Sequence, residues 1–165
     1  MISADEFDKL ALSKLRQLAP DADRLTFRIF LNLSRFNARL LADFEATVQR
    51  PLGLTWPGFR LLFCLWTAGP LQTRELARLL ATTAPTVSSV LNTLERKGYV
   101  ERGRLAYDQR LVEARLTEAG LEVVEAAFLG QNTREKEWLD ELTRKDLRAL
   151  VDILERLSRR RRPPV

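Results

Sequence analysis

The chain has 165 residues, 27 Lys and Arg against 22 Asp and Glu, a formal net charge of +5, one cysteine and no histidine. That length is one domain's worth and lets about 70% of the unfolded surface be buried, and the basic balance suits a polyanionic partner. A single cysteine excludes an internal disulfide, and the lack of histidine removes the usual general base and the commonest metal ligand.

The N-terminus, MISADEFDKL, is acidic and has no apolar core segment of the secretory kind. Ser3-x-x-Glu6 reads as a capping box ahead of Phe7, Leu10, Leu15 and Leu18, which predicts a short amphipathic helix before Pro20. A long helix follows, with Leu25, Ile29, Leu33, Phe36, Leu40 and Phe44 on one stripe and Pro51 and Gly53 at its end. Thr55 then caps a helix whose centre, residues 61–66, is apolar all round and is expected to be buried; Gly69-Pro70 closes it. That stretch is the longest apolar run and falls far short of the ~18 residues of a membrane span. The expectation is a cytoplasmic protein with no membrane contact.

Residues 71–120 carry the most information. Thr73 is the expected N-cap of a helix with Leu76, Ala77 and Leu80 on its apolar face. Ala81-Thr82-Thr83 breaks the pattern, Thr83 caps a second helix, and Pro85 is tolerated in its first turn. Val87, Val90, Leu91 and Leu94 face inward there, leaving Pro85, Thr86, Ser88, Ser89, Asn92 and Arg96 outside, and Gly98 supplies the positive φ that stops the helix. Tyr99 to Arg102 reads as a strand, and Val112 to Leu116 alternates as a half-buried strand does. Between them lies a basic tip with Arg104 and Arg110. This order of elements is a helix-turn-helix with a β-hairpin wing, a unit that places one helix in a DNA major groove.

Thr117 caps a further helix with Leu121, Val124 and Phe128, and Thr143 caps a last one with Leu147, Leu150, Leu154 and Leu157. Apolar stripes at both chain ends have no partner within one small winged helix, so they are expected to pack against a second copy. The run of residues 159–162 is all arginine, which suits a helix C-terminus or a DNA-touching tail. The predicted class is mainly α with a small β-hairpin wing: a winged helix-turn-helix (51–117) flanked by N-terminal (1–50) and C-terminal (118–165) dimerisation helices.

Leu54-Thr55-x-x-x-Phe59, Glu75-Leu76-Ala77, Leu94-Glu95-x-x-Gly98-Tyr99-Val100-x-Arg102, Asp108-x-Arg110 and Leu116-Thr117-x-x-Gly120 occur in this order. The chain thereby resembles the MarR (multiple antibiotic resistance regulator) family over residues 22–160. The resemblance implies a dimeric, sequence-specific regulator that binds a pseudo-palindromic double-stranded operator. A repressor relieved by a small aromatic or apolar effector is the form it favours. The expected DNA-contacting residues are Thr73, Arg74, Thr83, Pro85, Thr86, Ser88, Ser89, Asn92, Arg102, Arg104 and Arg110. By resemblance Arg110 enters the minor groove, while Asp108 fixes the wing turn. Unlike many relatives, the chain has no arginine near Ser88-Ser89, which shifts weight from the recognition helix to the wing. Trp56, Phe59, Arg60, Phe63 and Trp66 either line an effector pocket or form core. Cys64, inside an apolar helix, reads as inert packing. No catalytic residue, metal site or cofactor is expected, since neither an activated nucleophile nor a phosphate-binding glycine motif occurs. The alternative is a winged-helix protein-interaction module without specific DNA binding.

Overall fold

The structure, a computed structural model, describes residues 2–104 and 112–159 and divides into two compact units, Met1–Leu41 and Ala42–Val165. The first holds α1 (Ala4–Leu18) and most of α2 (Arg24–Phe44). As its capping box requires, the Glu6 amide donates to Ser3 Oγ at 3.2 Å and the Ser3 amide to Glu6 Oε2 at 2.8 Å. The Arg35 guanidinium grips both carboxylate oxygens of Asp8, ties α1 to α2 and holds the Asp8 carboxyl below its usual range. Both apolar stripes are largely uncovered, with Phe7 51% exposed and Ile29 52%, and only Phe44 at the foot of α2 is fully buried.

The second unit begins at the foot of α2. That helix does not run unchanged to Pro51. After Phe44 it widens into a π turn (Glu45–Gln49), tightens into a 3₁₀ turn (Arg50–Leu52) and stops where Gly53 takes φ +70°. The wide turn presents Val48 and Gln49 inward, both buried. Gln49 Nε2 donates to Gln131 Oε1 at 3.2 Å, and its Oε1 has no hydrogen-bond partner among the described residues. Asp43 accepts from Trp138 Nε1 at 2.8 Å and from the Arg134 guanidinium, also at 2.8 Å. Those bonds, the tryptophan's first, hold its carboxyl below the usual carboxylate range against the opposing effect of burial.

Helix α3 (Trp56–Ala68) starts at Thr55, whose Oγ1 accepts from the Gly58 amide at 3.2 Å. Its burial is one-sided rather than complete. Phe59, Leu61, Leu62 and Leu65 are core, whereas Phe63, Cys64 and Trp66 are half-buried, because only one face meets the rest of the unit.

Then come β1 (Leu71–Gln72), α4 (Thr73–Leu79), α5 (Ala84–Arg96), β2 (Val100–Arg104), β3 (Val112–Leu116), α6 (Glu118–Trp138) and α7 (Arg144–Ser158). The sheet has three strands where a hairpin was expected: β3 lies in the middle, antiparallel to β1 and β2. Strand β2 starts at Val100, because the Tyr99 amide is used by the preceding helix. Gly98, at φ +72°, closes α5 with the two bonds of a Schellman motif, from its own amide to Glu95 O at 2.9 Å and from Tyr99 to Leu94 O at 3.0 Å.

Leu76, Val87, Leu91, Val100 and Val124 join Leu61 and Leu62 in the centre of the core. Helix α6 turns Val124 and Ala127 into it, where its stripe was expected to find no partner within one copy, and leaves Leu121 41% exposed. Helix α7, capped by Thr143 and Asp146, exposes Leu150, Val151, Leu154 and Leu157. None of the described helices is long and apolar enough to cross a membrane.

Candidate nucleic-acid interface

Helix α4 begins one residue earlier than its cap was read. Gln72 is the N-cap, its amide bonded to Glu75 Oε2 at 3.0 Å, and Thr73 is the first helical residue. The glutamate three residues on decides the matter, since it reaches back to the residue that needs a partner. Thr73 is half-buried and Arg74 exposed. The chain reverses through Ala81, a non-glycine residue at φ +50°.

At the start of α5, Thr83 accepts from the Thr86 amide at 3.3 Å, and the two hydroxyl oxygens lie 2.8 Å apart. Pro85 occupies the first turn, which holds no acidic residue. The positive end of the helix dipole makes this terminus favourable to phosphate, although Pro85 has no amide and Thr83 takes up those of Thr86 and Val87. Val87, Leu91 and Leu94 fix the helix on the core, and the opposite face presents Pro85, Thr86, Ser89, Asn92 and Arg96. Ser88 is half-buried rather than outside, since it sits where α5 meets β2.

Arg102 projects from β2 onto α5. Its Nη2 donates to Asn92 Oδ1 at 2.7 Å and approaches Ser88 O at 3.4 Å, while Nη1 lies 3.7 Å from Glu95 Oε2. Three residues taken separately from the sequence as DNA contacts are thus one cluster. Nothing local in the sequence announces it, because the partners lie in different elements. Beside it, Arg115 pairs with Glu101 at 2.9 Å across the two wing strands. Asp108, Arg110 and the side chain of Arg104 lie outside the described residues.

The wing root is welded to α6. Thr117 Oγ1 donates to Gly98 O at 2.6 Å, the Thr117 amide to Tyr99 O at 3.1 Å, and the Gly120 amide to Thr117 Oγ1 at 3.0 Å.

The five candidate pocket residues do not share one cavity. Trp56 and Arg60 line a cavity of 130 Å³ with Leu80, Thr86 and Val90, and Arg60 Nη2 donates to Leu80 O at 3.1 Å. Phe59 is core at 3% exposure. Phe63 and Trp66 belong to a row of rings that stacks on Phe128, with centroids 5.9 and 5.2 Å away. Burial pushes the neighbouring Cys64 thiol up, with Arg60 partly opposing it. Among the described residues no group of His, Cys, Asp or Glu could hold a metal ion.

The model of the MarR family matches residues 54–112. The chain is 30% identical over 148 residues to the uncharacterized HTH-type transcriptional regulator YwaE of Bacillus subtilis, covering 89% of this chain and 86% of that one. Among solved structures, a mutant MarR from E. coli complexed with operator DNA superposes with a TM-score of 0.73 at 21% identity, over 87% of this chain and 96% of that one. Bordetella bronchiseptica BpsR, whose DNA binding is regulated by 6-hydroxynicotinic acid, gives a TM-score of 0.71 at 23% identity, over 79% and 98%.

Proposed function

The chain belongs to the MarR family of transcriptional regulators, and from that premise we propose that it is a homodimeric repressor that reads a pseudo-palindromic operator. The observation that carries this reading is the exposed face of α5. It offers Thr86, Ser89 and Asn92 beside a capped, acid-free N-terminus, with the wing root directly against it. Short hydroxyls and an amide reach base edges, and the positive end of the helix dipole favours phosphate. Thr73, Arg74, Thr83 and Pro85 border the same surface; Arg104 is assigned to phosphate and, by the family resemblance, Arg110 to the minor groove. The uncovered stripes of α1, α2 and α7 support a second copy, which would set two reading helices about one helical turn of DNA apart.

A small aromatic or apolar effector is the proposed release signal. Trp56 and Arg60 supply a ring face and a guanidinium on one cavity, the pair that an aromatic acid engages. Since Thr86 and Val90 of α5 line that cavity too, an occupant there would bear directly on the reading helix.

Duplexes recovered from a randomised pool should share a two-half-site motif, with log affinity falling steeply as log salt rises. Arg110→Ala should weaken binding to that motif by roughly 1–3 kcal/mol. Equal affinity for the recovered and random duplexes refutes operator recognition.

A further inference from the structure

We propose that Arg102 is a positioning residue that fixes the orientation of the Asn92 carboxamide, holding its oxygen toward β2 so that the side chain reads the major groove chiefly through its Nδ2 donors. The inference rests on the reading of α5 as the DNA-facing helix and adds a base preference to it.

A carboxamide has a donor end and an acceptor end, and a free asparagine on a recognition helix can use both. Paired that way it is matched to adenine, accepting from N6 while donating to N7. In Asn92 the oxygen keeps a second lone pair, but the bond from Arg102 already fixes where that oxygen points. A guanidinium carries donors and no acceptor, so the end of the carboxamide that faces Arg102 has to be the oxygen, at 2.7 Å. Two further contacts hold the guanidinium in place: Ser88 O at 3.4 Å and the Glu95 carboxylate at 3.7 Å. Glu95 also offsets the arginine's charge, so Arg102 is spent on α5 rather than left for a phosphate. No other hydrogen bond of the Asn92 carboxamide occurs among the described residues, which leaves both Nδ2 hydrogens for the exposed side of the helix.

In the major groove those donors meet acceptors. Guanine offers N7 and O6 and thymine offers O4, whereas adenine offers N7 alone and sets its N6 donor beside it, where only the oxygen held by Arg102 could accept. The position read by Asn92 should therefore favour guanine or thymine. Because Arg102 stands on β2, the same contact ties this preference to the seating of the wing on the helix.

The test is selection from a randomised duplex pool with the full chain, comparing wild type, Asn92→Ala, Arg102→Met and Arg102→Lys. Asn92→Ala identifies the position that residue reads, as the one whose preference collapses. Wild type should select guanine or thymine there. Arg102→Met should admit adenine, changing the ratio of adenine-bearing to wild-type duplex affinity by about tenfold, since a good base-edge pair carries that order of discrimination. Arg102→Lys, which keeps a donor on the asparagine oxygen, should restore the preference. The ratio is insensitive to a general loss of fold or of phosphate contacts, which lowers both affinities together.

An unchanged ratio in Arg102→Met, adenine selected by wild type, or no position altered in Asn92→Ala each overturns the proposal while leaving DNA recognition by α5 intact. A wild-type chain that selects no motif at all refutes the underlying reading instead.

Discussion

Replacing Gly120 by alanine tests how the wing is joined to the rest of the second unit. A Cβ at that position would stand 1.9 Å from the Tyr99 carbonyl oxygen and 2.8 Å from its carbon, where real Cβ contacts stay beyond 3.0 Å. Both sides of the clash are backbone, so no rotamer relieves it. Helix α6 must lift off β2, and two bonds stretch with it: Thr117 N to Tyr99 O at 3.1 Å and Thr117 Oγ1 to Gly98 O at 2.6 Å. Overpacking of this kind costs about 1–3 kcal/mol, each weakened bond adds about 1 kcal/mol, and better helix propensity returns at most about 1 kcal/mol. The net destabilisation should be roughly 3 kcal/mol, or about 6–12 °C in melting temperature for a chain of this size. Gly130→Ala is the control, because there the obstacle is a side chain, a buried Val48 methyl at 3.1 Å that has to give only a few tenths of an ångström; its cost should stay within about 1 kcal/mol. Thermal and urea unfolding at one protein concentration measure both. The argument fails if the two variants melt together, or if Gly120→Ala melts with wild type.

Ala81, held at φ +50° between α4 and α5, should accept glycine with little net change, since relief of strain and the added unfolded-state entropy each amount to about 1 kcal/mol. Valine, branched at Cβ, should lose about 1–2 kcal/mol there; a valine variant as stable as wild type removes the strain argument. Asp43 is held below its ordinary range by Trp138 and Arg134, so its contribution is complete above the unfolded value of about 3.9 and fades as pH falls through the lower folded one. The stability gap between wild type and Asp43→Asn should therefore be full at neutral pH and shrink below about pH 4. A gap independent of pH in urea titrations rules out the charged interaction as its source.

What could be read from the sequence was local. Thr55, Thr83, Thr117 and Thr143 each cap a helix by bonding an amide three residues on, a contact confined to one turn. Gly98 was legible for the same reason. Residue preference alone favours Thr73 as a cap, but the Glu75 carboxylate selects Gln72 instead. Strand β1 has two residues, too few to show alternation, and the π turn keeps apolar residues at spacings that an ordinary helix also allows. The partial exposure of Phe63 and Trp66 is set by what packs on α3, which apolar composition does not reveal. Arg102 and Asn92 were each legible as polar surface, but their pairing depends on how β2 crosses α5.

The central place of β3 separates the length of the wing from its alignment. Its register is fixed on one side by Leu71 opposite Ala114 and on the other by Arg102 opposite the same residue. A slip by one residue would turn the buried Ala114 outward and face Glu113 and Arg115 into the core, so neither edge tolerates it. A change in the number of residues between β2 and β3 would therefore leave the register of the three strands as it is, because that register is set by the strands themselves.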